Sequence, residues 1–297
     1  MEDNKVMTEI GGVMRPNTIF NADALKCLAM VIMLTDHIGA FLIEPSDPAY
    51  WPMRSVGRLA FPIFCYMIAE GAYYSRSVPK YLARLAVFAL ISTPPYNLVH
   101  GSPWYSPDNI NVFFTLFFGL AAVYSLNGLP QAVFRRLGKV SLAENKKACA
   151  LFGLPLCGMC YLAAFAMGTD YGEYGVAAIL IFWLLRKRPV VAWLCFAGLT
   201  FVFFGFYIVV PNEFGSLDYC RINLYNVVTK LVANPDAELF YYMMKQMYAP
   251  LACIPCLLYN GKNGKREDRK GIFVKYAFYA FYPLHLLIIW FVQLAIK

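Results

Sequence analysis

An all-α, polytopic integral membrane protein is what this sequence predicts, with about nine transmembrane helices, the N-terminus inside and the C-terminus outside. Three observations carry that prediction. Of the 297 residues, 60% are hydrophobic and only 15% are charged, and the mean hydropathy is +0.51, which leaves too little polar material to coat one soluble globule. Apolar runs of the length a bilayer requires recur from residue 25 to the end of the chain. Basic residues gather in every second loop between those runs, as they do where short loops are held in the cytoplasm.

Residues 1–20 are polar, of mixed charge, and broken by Gly11, Gly12 and Pro16. They read as a cytoplasmic tail, and 21–297 as a single transmembrane domain. The first thirty residues lack a basic segment, apolar core and small-residue cleavage site in series, so no removable signal peptide is expected. The first span, LKCLAMVIMLTDHIGAFL at 25–42, therefore serves as the insertion signal. Further spans fall at 58–74, 84–99, 111–127, 148–167, 174–185, 190–210, 239–259 and 272–296. The sixth is short for a crossing and reads equally as a re-entrant segment.

Loop charge tests that count. Arg76, Lys80 and Arg84 follow the second span; Arg135, Arg136, Lys139, Lys146 and Lys147 follow the fourth; Arg186, Lys187 and Arg188 follow the sixth; Lys262, Lys265, Arg266, Arg269 and Lys270 follow the eighth. The intervening loops are neutral or acidic, with Asp108, Asp170, Glu173, Glu213, Asp218, Asp236 and Glu238. The formal net charge of +8 is thus loop bias first, and without a recognition motif it gives no nucleic-acid partner. The 9 cysteines lie mostly in apolar runs, where reduced Cys packs as a small hydrophobe. CGMC (157–160) and CIPC (253–256) have redox or zinc spacing but no nearby His, so packing is the reading there too.

Polar residues inside spans are expensive and mark protein interiors or water-filled paths. The first span carries Lys26, Asp36 and His37. Lys26 and His37 are about three turns apart on nearly one helix face, while Asp36 points roughly 100° away, which argues against a simple Asp36–His37 dyad. His37 lies about 22 Å along a span that starts inside, so it belongs to the outer half of the membrane. His285, Asp170, Tyr171, Arg58, Asn97 and Asn111 fall at the same depth, and such convergence predicts an outward-facing cavity. Pro283 loosens the helix beside His285. His100 reads as a solvated loop residue, and Tyr171 and Tyr174 as rings that could stack on a sugar. On the inner side, Glu70 either pairs with Lys26 or binds substrate. Lys26, Lys80 and Arg84 ring an inner opening that would suit a polyphosphate.

A basic residue, ten intervening residues and a histidine in a first span is similar to the Arg/His arrangement of integral-membrane acyltransferases. The fuller resemblance is to TraX-type proteins, the family named after the pilin acetylase of conjugative plasmids. It runs through LKCLAMVIMLTDHIGAFL (25–42), GRLAFPIFCYMIAEGAYYSRS (57–77), NVFFTLFFGL (111–120), DYGEYGVAAIL (170–180) and KYAFYAFYPLHLLI (275–288), in that order. Lys26 stands where the wider superfamily usually has Arg, and lacks the planar fork of a guanidinium. The resemblance implies acetyl transfer from cytosolic acetyl-CoA to an extracytoplasmic glycan or peptide acceptor, in the cell membrane. The catalytic candidates are then His37, Asp36 and His285, with His37 as general base or as acetylated nucleophile. Lys26, Arg58, Lys80 and Arg84 are the acetyl-CoA candidates, and Asp170, Tyr171, Asn111 and Glu70 the acceptor candidates. The rival reading is a proton-coupled transporter, against which stand the absence of a visible inverted repeat and an odd span count.

Overall fold

The computed structural model of the protein describes residues 7–10, 13–16, 20–107, 109–205, 245–262 and 269–296. Asp108, Glu213, Asp218, Asp236, Glu238, Lys265 and Arg266 lie outside the described residues, as do the end of the predicted seventh span and the start of the eighth.

The body is helical, as predicted, and a short hairpin in the tail precedes it. Strands β1 (Met7–Ile10) and β2 (Val13–Pro16) pair antiparallel, with Met7 opposite Pro16 and Ile10 opposite Val13.

Among the described residues twelve helices follow: α1 (Ala22–Leu42), α2 (Tyr50–Gly57), α3 (Ala60–Tyr74), α4 (Val78–Val99), α5 (Val112–Leu126), α6 (Gly128–Arg136), α7 (Val140–Glu144), α8 (Lys146–Ala166), α9 (Gly172–Leu184), α10 (Pro189–Thr200), α11 (Cys253–Leu257) and α12 (Arg269–Ile296). A short π-helical turn, Phe201–Gly205, extends α10, and a 3₁₀ segment, Lys245–Ala252, leads into α11. The long helices begin where the chain supplies a capping side chain. Asn21 accepts from the Asp23 and Ala24 amides at 3.1 and 2.9 Å, Asn111 from Phe113 at 3.1 Å, and Asn145 from Lys147 and Ala148 at 3.0 and 3.2 Å. Ser77 caps α4, with Pro79 in its first turn where no amide donor is lost.

Among the described residues four helical stretches are long and apolar enough to cross a membrane: Ala22–Leu42, Val78–Val99, Lys146–Ala166 and Phe273–Ile296. Val112–Leu126 and Gly128–Arg136, bent 47° to each other, make a fifth if they form one span. Among the described residues, length qualifies fewer crossings than the nine apolar runs suggest, because α3, α9 and α10 have 15, 13 and 12 residues and the seventh and eighth runs lie partly outside the described residues. The outward faces are apolar: Leu90 and Ile91 on α4, Leu154 and Leu162 on α8, and Ile288 and Phe291 on α12 are all exposed. Such a surface suits lipid rather than water.

Packing brings the ends of the chain together. Helix α1 lies against α2, α3 and α12, α4 against α5 and α12, and α5 against α8 and α9. The start of α1 is also tied to the segment after α11, where Asn260 donates to the Phe20 carbonyl at 3.0 Å and Ala22 to that of Lys262 at 3.0 Å. The resulting core runs continuously from Leu25 on α1 through Ile63, Leu85, Leu120 and Ile179 to Leu286 on α12.

Candidate functional site

Two cavities lie end to end within this core. The one at the C-terminal end of α1, termed outer after the loop-charge expectation, is about 290 Å³ and is lined by Asp36, His37, Tyr50, Arg54, Arg58, Tyr96, His100, Asp170 and Tyr171, among others. The inner one, about 250 Å³, is lined chiefly by methionine and aromatic side chains, with Lys26, Glu70, Tyr74 and Lys275 as polar members. Met33, Phe64, Val112 and Tyr282 line both and form the wall between them.

At the outer cavity α1 and α12 face their histidines toward each other. His37 Nδ1 lies 2.6 Å from His285 Nε2, and the two rings are within 8° of coplanar. His285 Nδ1 lies 2.7 Å from the Phe281 carbonyl, one turn back on α12. A carbonyl can only accept, so His285 Nδ1 carries the hydrogen and, in the neutral ring, Nε2 accepts. His37 must then donate through Nδ1, and its Nε2 is left with a lone pair. The hydrogen-bond chain alone settles this tautomer, without any carboxylate.

Asp36 has a separate partner set. Arg54 Nη1 donates to its Oδ1 at 2.6 Å and to its backbone carbonyl at 3.2 Å, and Arg58 Nη2 donates to Oδ2. Asp36 is 7% exposed, so this is a buried carboxylate shared by two guanidiniums. The close approach of α2 to α1 that permits it requires Gly57, since a Cβ there would overlap the Asp36 side chain. Asp36 therefore anchors α2 and does not orient His37, as its angular offset on α1 requires.

Arg58 connects this cluster to the loop before α9. Its Nη1 donates to the Tyr171 hydroxyl at 3.2 Å, and the Tyr171 ring stacks on Phe61 with centroids 3.7 Å apart. These contacts hold Tyr171 at φ +65°, a left-handed backbone that costs a non-glycine residue roughly 1–2 kcal/mol. Asp170 is pinned through its backbone, its amide donating to Ile110 at 2.8 Å and its carbonyl accepting from Thr115. Burial pushes the Asp170 carboxyl up to about 6.

The predicted residues thus divide. His37, Asp36, Arg58, Asp170 and Tyr171 share the outer cavity, and His285 stands directly behind His37. Arg58, expected as a donor contact, is bound there to Asp36 and Tyr171. Asn111 reaches neither cavity, because it is fully buried, capping α5 and donating to Ala89 O at 2.9 Å. Lys26 and Glu70 line the inner cavity. Glu70 lies 3.2 Å from Arg186, whose guanidinium stacks 3.5 Å over Tyr73 and donates to Tyr74 at 3.1 Å, so Arg186 is a buried partner and not a solvated loop charge. Lys80 is exposed and Arg84 packs beside Tyr81, and neither lines the inner cavity. His100 is not simply solvated either: it borders the outer cavity, donating to Tyr96 O at 2.7 Å and edging onto Phe41. Cys157, Cys160, Cys253 and Cys256 are free.

Sequence reasoning missed Arg54, Tyr50, Tyr96 and Tyr282. A signal existed for the first: Arg54 and Arg58 are four residues apart, one helical turn, so a partner of one is in reach of the other. Nothing in the local sequence distinguishes Tyr282 from the other aromatic residues of FYAFYP.

Fold and site together define a polytopic helical protein with membrane-spanning helices and a histidine pair in a polar internal cavity. The chain belongs to the TraX family, whose model, described as TraX protein, matches residues 21–293. It is also similar to the probable fimbrial assembly protein FimC, serogroup H1, of Dichelobacter nodosus, at 26% identity over 93% of this chain and 97% of that protein. A 69-residue stretch is 36% identical to an uncharacterised protein of Rickettsia prowazekii, covering 23% of this chain and 24% of that one. No solved structure matches.

Proposed function

We propose that this protein is a membrane-embedded acetyltransferase that moves an acetyl group from cytosolic acetyl-CoA to an acceptor on the outer side of the cell membrane, with His37 as general base. The observation that carries the reading is the hydrogen-bond chain Phe281 O, His285, His37, which leaves His37 Nε2 able to take a proton at the edge of a polar cavity. A base is what an acceptor hydroxyl or amine needs before it can attack a thioester. The inner cavity supports the donor half: it is apolar enough for a pantetheine arm, with Lys26 and Lys275 as cations for phosphate. Lys275 takes the place that Lys80 and Arg84 held in the sequence reading. Loop charge supports nine crossings with the N-terminus inside, which sets the inner cavity toward the cytosol. The family and the fimbrial-assembly name of the Dichelobacter relative favour an amine of a secreted peptide subunit as acceptor, with a glycan hydroxyl or amine as the second class.

In the reaction, the acceptor's O–H or N–H gives its proton to His37 Nε2 while its lone pair attacks the thioester carbonyl. Collapse of the tetrahedral intermediate breaks the C–S bond, and the imidazolium returns its proton to the coenzyme A thiolate. His285 and its tie to Phe281 hold the ring in the required tautomer throughout.

The test is His37→Ala in the full-length protein, reconstituted in lipid and assayed with radiolabelled acetyl-CoA. Transfer falls by about 10² to 10⁴-fold while acetyl-CoA binding and thermal stability are kept. Turnover near the wild-type rate would remove the catalytic assignment. Label retained on the wild-type protein without acceptor would change His37 from base to nucleophile.

A further inference from the structure

We propose that the wall shared by the two cavities selects the acyl group by length: Met33, Phe64, Val112 and Tyr282 admit acetyl and turn away longer acyl thioesters. The inference rests on the acyl-transfer reading above and adds to it the residues that set its donor specificity.

Position carries the first step. Met33 and Tyr282 stand four and three residues before His37 and His285 on their helices, so each is on its histidine's face, about one turn inward. The Tyr282 ring turns an edge to both histidine rings, at 6.2 and 5.7 Å between centroids. The wall therefore lies between the histidine pair and the inner cavity.

Chemistry supplies the second step. The carbonyl carbon has to come within about 3–3.5 Å of the acceptor atom that His37 deprotonates, while its sulfur leads back to a donor held in the inner cavity. The thioester thus crosses the wall. Its carbonyl carbon is trigonal, so the acyl chain leaves at an angle to the C–S bond and meets the side chains of the wall instead of following the donor's own path.

Packing supplies the third. Tyr282 is 4% exposed, and its ring packs edge-on to Phe113 at 5.2 Å. Val112 opens α5, whose start is anchored by the buried Asn111 through its bond to Ala89 O at 2.9 Å. Neither can withdraw without disturbing a contact between helices. Met33, 9% exposed, fills the gap beside them with an unbranched side chain. It can be cut back without removing a hydrogen-bonding group.

The test compares acetyl-CoA, propionyl-CoA and butyryl-CoA, each radiolabelled in the acyl group, as donors for the full-length protein in lipid, with the envelope fraction of cells lacking the protein as acceptor. For wild type, kcat/KM falls by about 10- to 200-fold from acetyl to propionyl, the range that one methylene in an apolar pocket produces. In Met33→Ala that preference shrinks by about tenfold or more, while affinity for coenzyme A itself, which has no acyl group, stays at the wild-type value. Met67→Ala is the comparison: Met67 is similarly buried, at 7%, but lines only the inner cavity, and its truncation changes acetyl and propionyl transfer alike. Val112→Ala, a smaller cut in the same wall, decides in the same direction where Met33→Ala does not yield folded protein. Equal use of the donors by wild type overturns the proposal. So does a preference unchanged in folded Met33→Ala or Val112→Ala, or one that Met67→Ala relaxes as far as they do. Absence of transfer from every donor by wild type overturns the acyl-transfer reading and takes this proposal with it.

Discussion

The two cavities are nearly equal in volume and share a wall, yet they are held together by different forces. Around the outer one the polar groups satisfy each other: Asp36 with Arg54 and Arg58, Arg58 with Tyr171, His37 with His285. Each side chain is fixed by a partner on another helix before any ligand arrives, which is how a site is preorganised. Around the inner one Met30, Met33, Met67 and a set of aromatic rings supply flexible apolar surface, and Lys26, Glu70 and Lys275 are the charged members. On the proposed function, the difference would separate chemistry from accommodation along the bundle. A rigid polar chamber suits proton transfer, and a soft apolar one suits a long, flexible donor.

The largest effect expected from breaking this contrast is on stability at the outer site. Asp36→Ala leaves two buried guanidiniums without their carboxylate, and losing one side of a buried ion cluster costs about 3–5 kcal/mol. Denaturant unfolding in detergent should report that loss, and a change below about 1 kcal/mol would mean the arginines find other partners. At the inner cavity the corresponding change is mild. Lys26→Ala should leave unfolding unchanged within about 0.5 kcal/mol and weaken acetyl-CoA binding by about tenfold at low salt. The gap between variant and wild type should narrow as ionic strength rises, because a partly exposed cation acting on phosphate is screened. Equal affinities at low salt would take Lys26 out of the donor site.

How far the sequence reveals this arrangement follows from range. The helices of the body were legible because apolar runs and capping residues are local: Asn21, Ser77, Asn111 and Asn145 each mark a start that the backbone follows. The common depth of His37, His285, Asp170, Tyr171 and Arg58 was legible as well, since rise per residue converts position into height. Angular position around the bundle was not. Asn111 is at the right height but faces α4, and Arg186 follows a span like any loop charge but turns inward onto Glu70 and Tyr73. Arg54 could not be assigned to Asp36 because the packing of α2 on α1 depends on small residues, Gly39 and Gly57, that carry no directional signal in one sequence.

The smallest effect sharpens the comparison within the outer cavity itself, by separating a charge that is held from one that is only buried. Asp36 is gripped by two guanidiniums, whereas Asp170 is positioned through its backbone and its carboxyl is raised to about 6 by burial. The unfolded chain has this carboxyl near its ordinary value of 3.8. At pH values below about 4 it is protonated in both states and contributes nothing pH-dependent. Between about pH 4 and 6 the unfolded chain ionises while the folded one resists, so the folded state binds more protons and its stability falls as pH rises. Above about pH 7 the loss is complete. Asp170→Asn removes the titration and keeps the shape, so its thermal midpoint should match wild type near pH 4 and exceed it by roughly 2–4 °C near pH 7.5, the size that about 1 kcal/mol produces in a chain of this length. A gap that stays constant between those pH values would show that burial does not act on this carboxyl. A midpoint lowered at pH 7.5 would show that Arg58, through Tyr171 and the loop, stabilises the Asp170 anion after all, and the outer cavity would then hold both of its carboxylates in the same way.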